Sequence, residues 1–165
     1  VIESTYGDRL HKSNKETREE FRQVIAHALK SRAKVMIPTF VVDRAQRLLY
    51  ELMLLQKDGI LRNNIPIFFD SPMGVKATEI YNKHLSLFSR EIQQHVKEGY
   101  DPFTPEQLHY VESVADSRRI NDIKHAIVMA GSGMCNGGRN LHHPLLYNIP
   151  HPPRPDSIIF DGFSL

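Results

Sequence analysis

The stretch AIVMAGSGMCNGGR, residues 126–139, decides the fold class of this chain. Its first five residues are apolar, which is typical of a strand buried on both faces of a parallel sheet. A glycine-rich turn follows, and a helical pattern resumes near Arg139. Because short apolar runs alternate with helical spacing along the rest of the chain, we predict an α/β fold: a three-layer sandwich with a mostly parallel central sheet flanked by helices.

The remaining elements follow from the same two periodicities. We predict strands at 34–38, 66–69, 107–111, 126–130 and 158–160, preceded by a strand that ends near residue 3. We predict helices at 14–33, 43–57, 75–84, 89–98, 117–123 and 140–147. The chain shows no internal repeat, low-complexity tract or domain boundary, so residues 1–165 are predicted to form a single domain.

Composition and charge exclude several classes of protein. Of the 165 residues, 41% are hydrophobic and 24% are charged, and the net charge is +2. That balance is ordinary for a globular protein and does not by itself indicate nucleic-acid binding. The single cysteine, Cys135, excludes an internal disulfide framework and indicates a reducing, cytoplasmic compartment. No apolar run approaches the roughly 20 residues that cross a bilayer, so we expect no membrane partner.

The glycine-rich loop carries the first candidate binding residues. Glycines let backbone N–H groups approach a ligand, the start of a helix favours an anion, and an arginine can donate to a phosphate. The candidates are Ser132, Gly133, Met134, Gly137, Gly138 and Arg139. A tight turn that binds nothing explains the same glycines, and the spacing alone favours neither interpretation. The loop lacks a Gly-Lys-Ser/Thr ending, which disfavours a P-loop nucleotidase.

Two further strand ends carry polar or basic residues. Arg44 and Gln46 lie in the first turn of the second predicted helix, where Asp43 is the expected N-cap. Ser71 follows the next predicted strand and precedes a proline, a favourable helix start. Ligands of parallel sheets bind beyond the carboxyl ends of the strands, so we expect these turns to line one binding edge. Arg44 can equally pair with a neighbouring carboxylate and only stabilise its turn.

The histidines and the cysteine form no recognisable metal or nucleophile motif. The chain contains no His-x-His, no His-Glu-x-x-His and no Cys-x-x-Cys. His142 and His143 are adjacent, so on a helix their side chains diverge by roughly 100° and are poor ligands of one metal ion. We expect His142 to pack or to hydrogen-bond near Arg139. No Gly-x-Ser-x-Gly motif supports a nucleophilic serine.

Several ordered segments together resemble one known family. They are ESTYG at 3–7, PTFVVDRAQ at 38–46, DSPM at 70–73, SGM at 132–134, GGR at 137–139 and DGF at 161–163. In this order they are similar to the signatures of the β-CASP domain found in nucleases of the metallo-β-lactamase superfamily. The ESTYG form resembles the RNA-processing branch, which includes cleavage-and-polyadenylation nucleases and their bacterial and archaeal relatives. The resemblance covers nearly the whole chain.

The resemblance implies a role inside a larger enzyme that hydrolyses RNA phosphodiesters. A β-CASP domain caps a metallo-β-lactamase domain that holds two zinc ions, and single-stranded RNA passes between them. The family's His-x-His-x-Asp-His zinc motif is expected before Val1 and its later histidines after Leu165. We therefore expect these residues to bind no metal and to be inactive alone. Glu3 is implied as the acidic residue that orients one of the later histidines, and the candidates at the strand ends are implied to grip the RNA.

Two other functions stay open at this point. The chain can be a non-catalytic RNA-binding or scaffold module, as in relatives that have lost their metal ligands. It can also be a generic α/β domain that binds a phosphate or a mononucleotide. Exposed aromatic side chains would favour RNA, because bases stack on them. The exposed edge strands at both ends also predict that the chain can form a homodimer.

Overall fold

The computed structural model describes residues 12–133, 137–143 and 157–159. Within them, the helices are α1 (Asn14–Lys30), α2 (Arg44–Lys57), α3 (Pro72–Lys83), α4 (Arg90–Lys97) and α5 (Val114–Arg119). The strands are β1 (Lys34–Pro38), β2 (Ile67–Asp70), β3 (Leu108–Tyr110), β4 (Ile127–Ala130) and β5 (Ser157–Ile159). Short 3₁₀ turns cover Leu85–Leu87, Ile120–Asp122 and Gly138–His142. None of the described helices combines the length and hydrophobicity that a membrane span requires.

The described strands form one parallel sheet in the order β3-β2-β4-β1-β5. Alternate residues of β1 face opposite sides of this sheet, as the strand periodicity of two dictates. Val35 and Ile37 pack in the core that α1 and α2 cover. Met36 packs on the other side, against Val111 and Ile120. The predicted α/β sandwich with a mostly parallel sheet is confirmed.

Local sequence signals explain where α1 and α3 begin. Ser13 caps α1 while the Glu16 carboxylate bonds back to the Ser13 backbone, which forms a capping box. Ser71 Oγ accepts a hydrogen bond from Gly74 N at 3.1 Å, and Pro72 fills the first position of α3. These signals fix both helix starts from residues that are adjacent in sequence.

The start of α2 differs from its prediction. Asp43 makes no side-chain capping bond, so the expectation that it caps α2 is wrong. Its backbone lies in the left-handed region, with φ at 66°, and its carboxylate pairs instead with Arg47 at 3.0 Å. The backbone of Phe40 helps to close this helix end, because Phe40 O accepts from Ala45 N at 3.2 Å.

The α3–α4 segment, residues 72–97, packs on α2 through its own small apolar cluster. Tyr50, Met53 and Phe103 are buried in this cluster, and Tyr81 and Phe88 pack against them. The ring centroids of Tyr81, Phe88 and Phe103 lie 5.1–5.5 Å from one another. The segment therefore packs on the side of α2 through a hydrophobic cluster that is distinct from the main core.

The last two predicted helices differ from their predictions within the described residues. In the helix predicted at 140–147, positions 140–142 belong to a 3₁₀ turn over Gly138–His142, and positions 144–147 lie outside the described residues. The helix predicted at 117–123 begins earlier, because Ser113 Oγ accepts from Asp116 N at 3.0 Å and caps α5 there. The strand predicted to end near residue 3 also lies outside the described residues.

Candidate functional site

Three strand-to-helix turns meet at one edge of the sheet. The register places Pro38 and Asp70 on either side of Ala130, so β1, β2 and β4 end at the same level. Thr39 N donates to Ala130 O at 2.9 Å, which holds the turn after β1 against the turn after β4. The carboxyl edge of the sheet therefore collects the turns in which the sequence placed its candidate residues.

Backbone bonds close the glycine-rich loop after β4 on itself. Ser132 N donates to Gly137 O at 3.2 Å, and Asn140 N donates to Gly131 O at 2.9 Å. The Asn140 side-chain amide also donates to Ser132 O. Asn140 is fully buried, so its bonds fix the loop to the 3₁₀ turn that follows it.

Packing requires glycine at two positions of this loop. A Cβ atom at Gly133 would lie 2.8 Å from the Phe40 ring and 3.1 Å from Phe40 N. A Cβ atom at Gly138 would lie 2.7 Å from Gly131 O, and the φ of Gly138 is +67°. Side chains other than hydrogen do not fit at such distances or favour such a φ. Close packing thus accounts for both glycines, and it also presses the loop against an aromatic ring.

A buried group of polar side chains anchors this loop. It consists of Asp70, Ser117, Arg139, His142 and His143, and we call it the Asp70 network. Asp70 is fully buried, and its Oδ2 accepts from His143 Nε2 at 2.9 Å and from the Ser117 hydroxyl. Arg139 Nε lies 3.7 Å from Asp70 Oδ1. A carboxylate at zero exposure needs such partners, because an unpaired buried charge costs several kcal/mol.

His143 faces an oxygen acceptor at each ring nitrogen. Its Nε2 lies 2.9 Å from Asp70 Oδ2, and its Nδ1 lies 3.1 Å from Asn121 Oδ1. The orientation of the Asn121 amide is set by a second bond, because its Nδ2 donates to His142 O at 2.7 Å. His143 thus links Asp70 to Asn121 through a buried chain of hydrogen-bonded side chains.

Arg139 directs its guanidinium into the protein. Its Nη1 donates to Ser113 O at 2.9 Å and its Nη2 to Glu112 O, in addition to the contact with Asp70. Its side chain is only 16% exposed. Arg139 therefore connects the glycine-rich loop to the start of α5, and little of its guanidinium is left exposed to bind a phosphate.

His142 lies beside Arg139 at the border of the Asp70 network. Its Nδ1 is 2.8 Å from Ser117 Oγ, and the residue is half-buried. Burial and the positive charge of Arg139 hold the pKa of His142 below its ordinary value, because both disfavour the charged imidazolium. His142 is thus neutral more readily than a free histidine, while its ring orients the Ser117 hydroxyl.

The remaining candidates at the strand ends differ in accessibility. Gln46 is completely buried, and its Nε2 donates to Val41 O at 3.2 Å and to Thr78 Oγ1 at 3.0 Å. Ser71 is buried, and its hydroxyl is used as the cap of α3. Arg44 is half-exposed. Among these three side chains, the structure leaves Arg44 in a position to meet a ligand from solvent.

Exposed apolar side chains follow the strand ends. We call this set the apolar rim: it contains Phe40, Val42, Met73, Val114 and Leu141. Each follows the carboxyl end of a strand, and their exposures lie between 48% and 67%. Exposed apolar side chains that follow strand ends in this way are typical of a surface that contacts another molecule or domain.

Sequence reasoning did not assign Asp70, Ser117 or His143 to the site. Asp70 offered a local signal, since it is an acidic residue at the end of an apolar run. Ser117 and His143 lie 47 and 73 positions from Asp70 along the chain, and no local pattern connects them. Only the fold brings these side chains together.

The described residues do not fit a zinc site. Within them, no group of three or more His, Cys, Asp or Glu side chains could hold a metal ion. Asp70 and His143 bond to each other, and both nitrogens of His143 are used. Two predicted site residues, Glu3 and Met134, lie outside the described residues.

The fold is an α/β domain in which three strand-to-helix turns converge at the carboxyl edge of a parallel sheet. The chain belongs to the Beta-Casp domain family, which matches residues 45–163. The resemblance to the β-CASP family that the ordered segments show is confirmed.

Curated relatives extend the similarity to the whole chain. Ribonuclease TTHA0252 of Thermus thermophilus is 39% identical over 165 residues, which are 99% of this chain and 37% of that protein. Transcription termination factor FttA of Pyrococcus horikoshii is 34% identical over 171 residues, or 99% of this chain and 25% of that protein. The FttA of Methanococcus maripaludis is 32% identical over 170 residues, which cover 99% of this chain and 26% of that protein. The chain thus spans little more than a third of one of these relatives and about a quarter of the others.

Proposed function

We propose that this chain is the RNA-gripping cap domain of a zinc-dependent ribonuclease that hydrolyses RNA phosphodiesters. Membership of the Beta-Casp domain family and the name of the Thermus relative support this function. The observation that carries it is the contact between the glycine-rich loop and Phe40 at the carboxyl edge of the sheet. An exposed aromatic ring beside a loop of backbone and small side chains is suited to a base and its neighbouring phosphate.

Phe40 is the side chain we assign to base stacking. It is 52% exposed, while Gly133 packs against its ring and restricts where the ring can lie. A ring held in this way offers a flat face to a base of any sequence, and one stacked base contributes about 1–3 kcal/mol. The other members of the apolar rim extend the surface that faces the RNA and the metallo-β-lactamase domain of the parent enzyme.

Phosphate contacts fall to Arg44, Ser132 and the loop backbone. Arg139 contributes to phosphate binding indirectly, since its hydrogen bonds to Ser113 O and Glu112 O hold the loop in place. The buried Gln46 and the capping Ser71 likewise position their turns, and His142 orients the Ser117 hydroxyl within the Asp70 network. We retain Glu3 as the acid that orients a histidine elsewhere in the enzyme, and Met134 and Gly137 as members of the loop that lines the RNA.

The chemistry of hydrolysis belongs to the rest of the parent enzyme. The described residues do not fit zinc, so we place both zinc ions in a metallo-β-lactamase domain. This chain's own part is to bind single-stranded RNA and to orient it. The 165 residues alone are accordingly proposed to be inactive, in an intracellular protein that can form a homodimer.

A gel-retardation assay with single-stranded RNA tests the proposed grip. We expect Phe40→Ala to weaken RNA binding by about tenfold, because it removes one stacked base. Leu87→Ala is the matched control, since Leu87 is 80% exposed on the α3–α4 segment, outside the apolar rim. It should change the affinity by less than about twofold. Higher salt should weaken binding by all the proteins, because counterions compete for the phosphates.

Three outcomes would overturn parts of this proposal. Equal retardation by Phe40→Ala and Leu87→Ala would remove base stacking at the strand ends. Competition by a mononucleotide as strong as that by RNA would favour the generic phosphate-binding alternative. Cleavage of RNA by the 165 residues alone would contradict the placement of the catalytic metal elsewhere.

A second candidate function is transcription termination, which the names of the archaeal relatives favour. The carboxyl edge of the sheet would then bind a nascent transcript. Adding the full-length protein to a stalled transcription complex distinguishes the two functions. Release of the RNA polymerase would support termination, whereas cleavage of free RNA without release would support a processing nuclease.

A further inference from the structure

A cavity of about 420 Å³ opens between α1, α2 and the α3–α4 segment. We call it the interhelical cavity. It shares no described residue with the Asp70 network, and its walls carry charged groups, a buried amide and aromatic rings. The RNA-gripping role uses none of these charged groups, so their arrangement calls for its own explanation.

Negative charge exceeds positive charge in the described lining of the interhelical cavity. The lining contains the carboxylates of Asp43, Glu51 and Glu91 and the guanidiniums of Arg18 and Arg47. Three negative charges against two positive charges leave one net negative charge. A phosphate or another anion is therefore disfavoured in this cavity, and a cation is favoured.

The two glutamates bind the protein through one oxygen each. Glu51 Oε1 accepts from Arg18 Nε at 2.7 Å, and Glu91 Oε1 accepts from Arg18 Nη1 at 3.1 Å and from the Tyr50 hydroxyl at 3.0 Å. Among the described residues, no hydrogen bond reaches the second oxygen of either carboxylate, so this oxygen is left to accept from a ligand. Burial raises the pKa of Glu51 despite the charge of Arg18, so a further positive charge would stabilise this carboxylate.

A buried amide oxygen adds to this surplus of acceptors. Gln46 lines the interhelical cavity, and both contacts of its side chain are made by Nε2, to Val41 and Thr78. Its Oε1 is buried and finds no hydrogen-bond partner among the described residues. Leaving such an acceptor unsatisfied costs about 1–3 kcal/mol, which a donor from a ligand would recover.

Aromatic rings complete the lining. Tyr50, Tyr81, Phe88 and Phe103 all contribute to the wall of the interhelical cavity. The guanidinium carbon of Arg18 already lies 5.8 Å from the centroid of the Tyr50 ring, within the range of a cation–π contact. Flat rings beside spare acceptors suit a flat cation better than a spherical one.

We propose that the interhelical cavity binds a guanidinium group, carried by a free small molecule or by an arginine side chain. A guanidinium is planar, always charged, stacks on aromatic rings, and has five N–H donors and no acceptor. These properties match a lining that has excess negative charge, spare carboxylate and amide oxygens, and aromatic walls. A nucleobase matches it less well, because a base brings acceptors of its own.

Calorimetric titration of the full-length protein with agmatine tests this site. We expect saturable binding that Glu91→Gln weakens by about tenfold, through the loss of one charged acceptor. Glu98→Gln is the matched control, because Glu98 pairs with Lys57 and lies outside the cavity lining. It should leave the agmatine affinity within about twofold of the original. Circular dichroism would verify that both variants keep the fold.

Comparison ligands identify the group and its source. Butylamine and cytidine should bind at least about tenfold more weakly than agmatine, since neither offers a guanidinium. Tighter binding of the peptide Gly-Arg-Gly than of agmatine would assign the site to an arginine side chain, and the reverse would assign it to a small molecule. The proposal is overturned if agmatine does not bind, if Glu91→Gln binds it as well as Glu98→Gln does, or if cytidine binds equally well.

Discussion

The Asp70 network and the interhelical cavity both combine arginine with carboxylates, and they differ in how completely those groups are used. In the Asp70 network, Arg139 and His143 surround a carboxylate of zero exposure, and the guanidinium is bound on several sides. In the interhelical cavity, Glu91 is 52% exposed and uses a single oxygen. The first arrangement is enclosed by protein and holds a loop, although Asp70 Oδ1 makes no hydrogen bond among the described residues, whereas the second keeps carboxylate oxygens that a ligand can reach.

The comparison shows that residue type alone does not separate a structural group from a binding group. Arg139 follows a glycine-rich loop and resembles a phosphate ligand in sequence, but its donors are used inside the protein. Arg18 lies in the first half of α1, and it bonds to two carboxylates in the wall of a cavity. What separates them is the number of donors and acceptors left over after folding.

Removing one charge from each region gives the largest contrast. We expect Asp70→Asn to lower the free energy of unfolding by about 3 kcal/mol, because it removes the counter-charge of Arg139 and a buried acceptor that His143 and Ser117 share. Glu91→Gln should cost less than about 1 kcal/mol, since exposed ion pairs contribute little. Urea unfolding of both variants measures the difference. Equal losses of unfolding free energy would mean that the Asp70 network stabilises the fold no more than the exposed Glu91 does.

A second contrast concerns two glycines of the same loop. Gly133→Ala places a methyl group 2.8 Å from the Phe40 ring, so we expect a loss of about 1–3 kcal/mol and weaker RNA binding as the ring is displaced. Gly137→Ala is the matched control for stability, because its Cβ atom would meet nothing within 4 Å and its φ is −180°. Unfolding of the two variants tests the packing, and gel retardation of Gly133→Ala beside the original protein tests the displacement of the ring. An equal loss of unfolding free energy in Gly137→Ala and Gly133→Ala would contradict the packing of Gly133 against Phe40.

The smallest expected effect is a pH dependence that arises from His142. The pKa of His142 is lowered in the folded protein, so the unfolded chain binds a proton more readily. The stability contributed by the neutral ring is therefore complete above the ordinary pKa of 6.5 and declines as the pH falls below it. His142→Gln should reduce the slope of unfolding free energy against pH in this range. A slope that the substitution leaves unchanged would show that His142 is not held neutral by its surroundings.

Much of the fold could be predicted because its signals are local. The runs at 34–38 and 126–130 are short and continuously apolar, and both are strands of a parallel sheet. The cap at Ser71 followed by a proline placed the start of α3. The N-cap of α2 was mispredicted because Asp43 pairs with Arg47 one helical turn away, and sequence alone does not rank that ion pair above a cap.

The candidate site could be predicted only in part. Parallel strands end at a common edge, so the sequence was sufficient to predict that the turns after β1, β2 and β4 lie close together. It was not sufficient to show which side chains of those turns face solvent. Gln46 and Arg44 are two positions apart on α2, yet Gln46 is fully buried and Arg44 is half-exposed. That difference depends on the packing of α3 against α2, which joins residues distant in sequence.

The sequence by itself determined the α/β class, the family and the edge of the sheet at which its candidate residues lie, because periodicity, glycine placement and ordered motifs act over short distances. The tertiary structure alone decided that Arg139 anchors the loop and that Asp70 is enclosed by side chains from α5 and the 3₁₀ turn. It also decided that α1, α2 and α4 leave a cavity with spare acceptors. The physical reason is that charges and hydrogen-bonding groups are satisfied by whichever partners the fold brings within about 3 Å, whatever their separation in sequence.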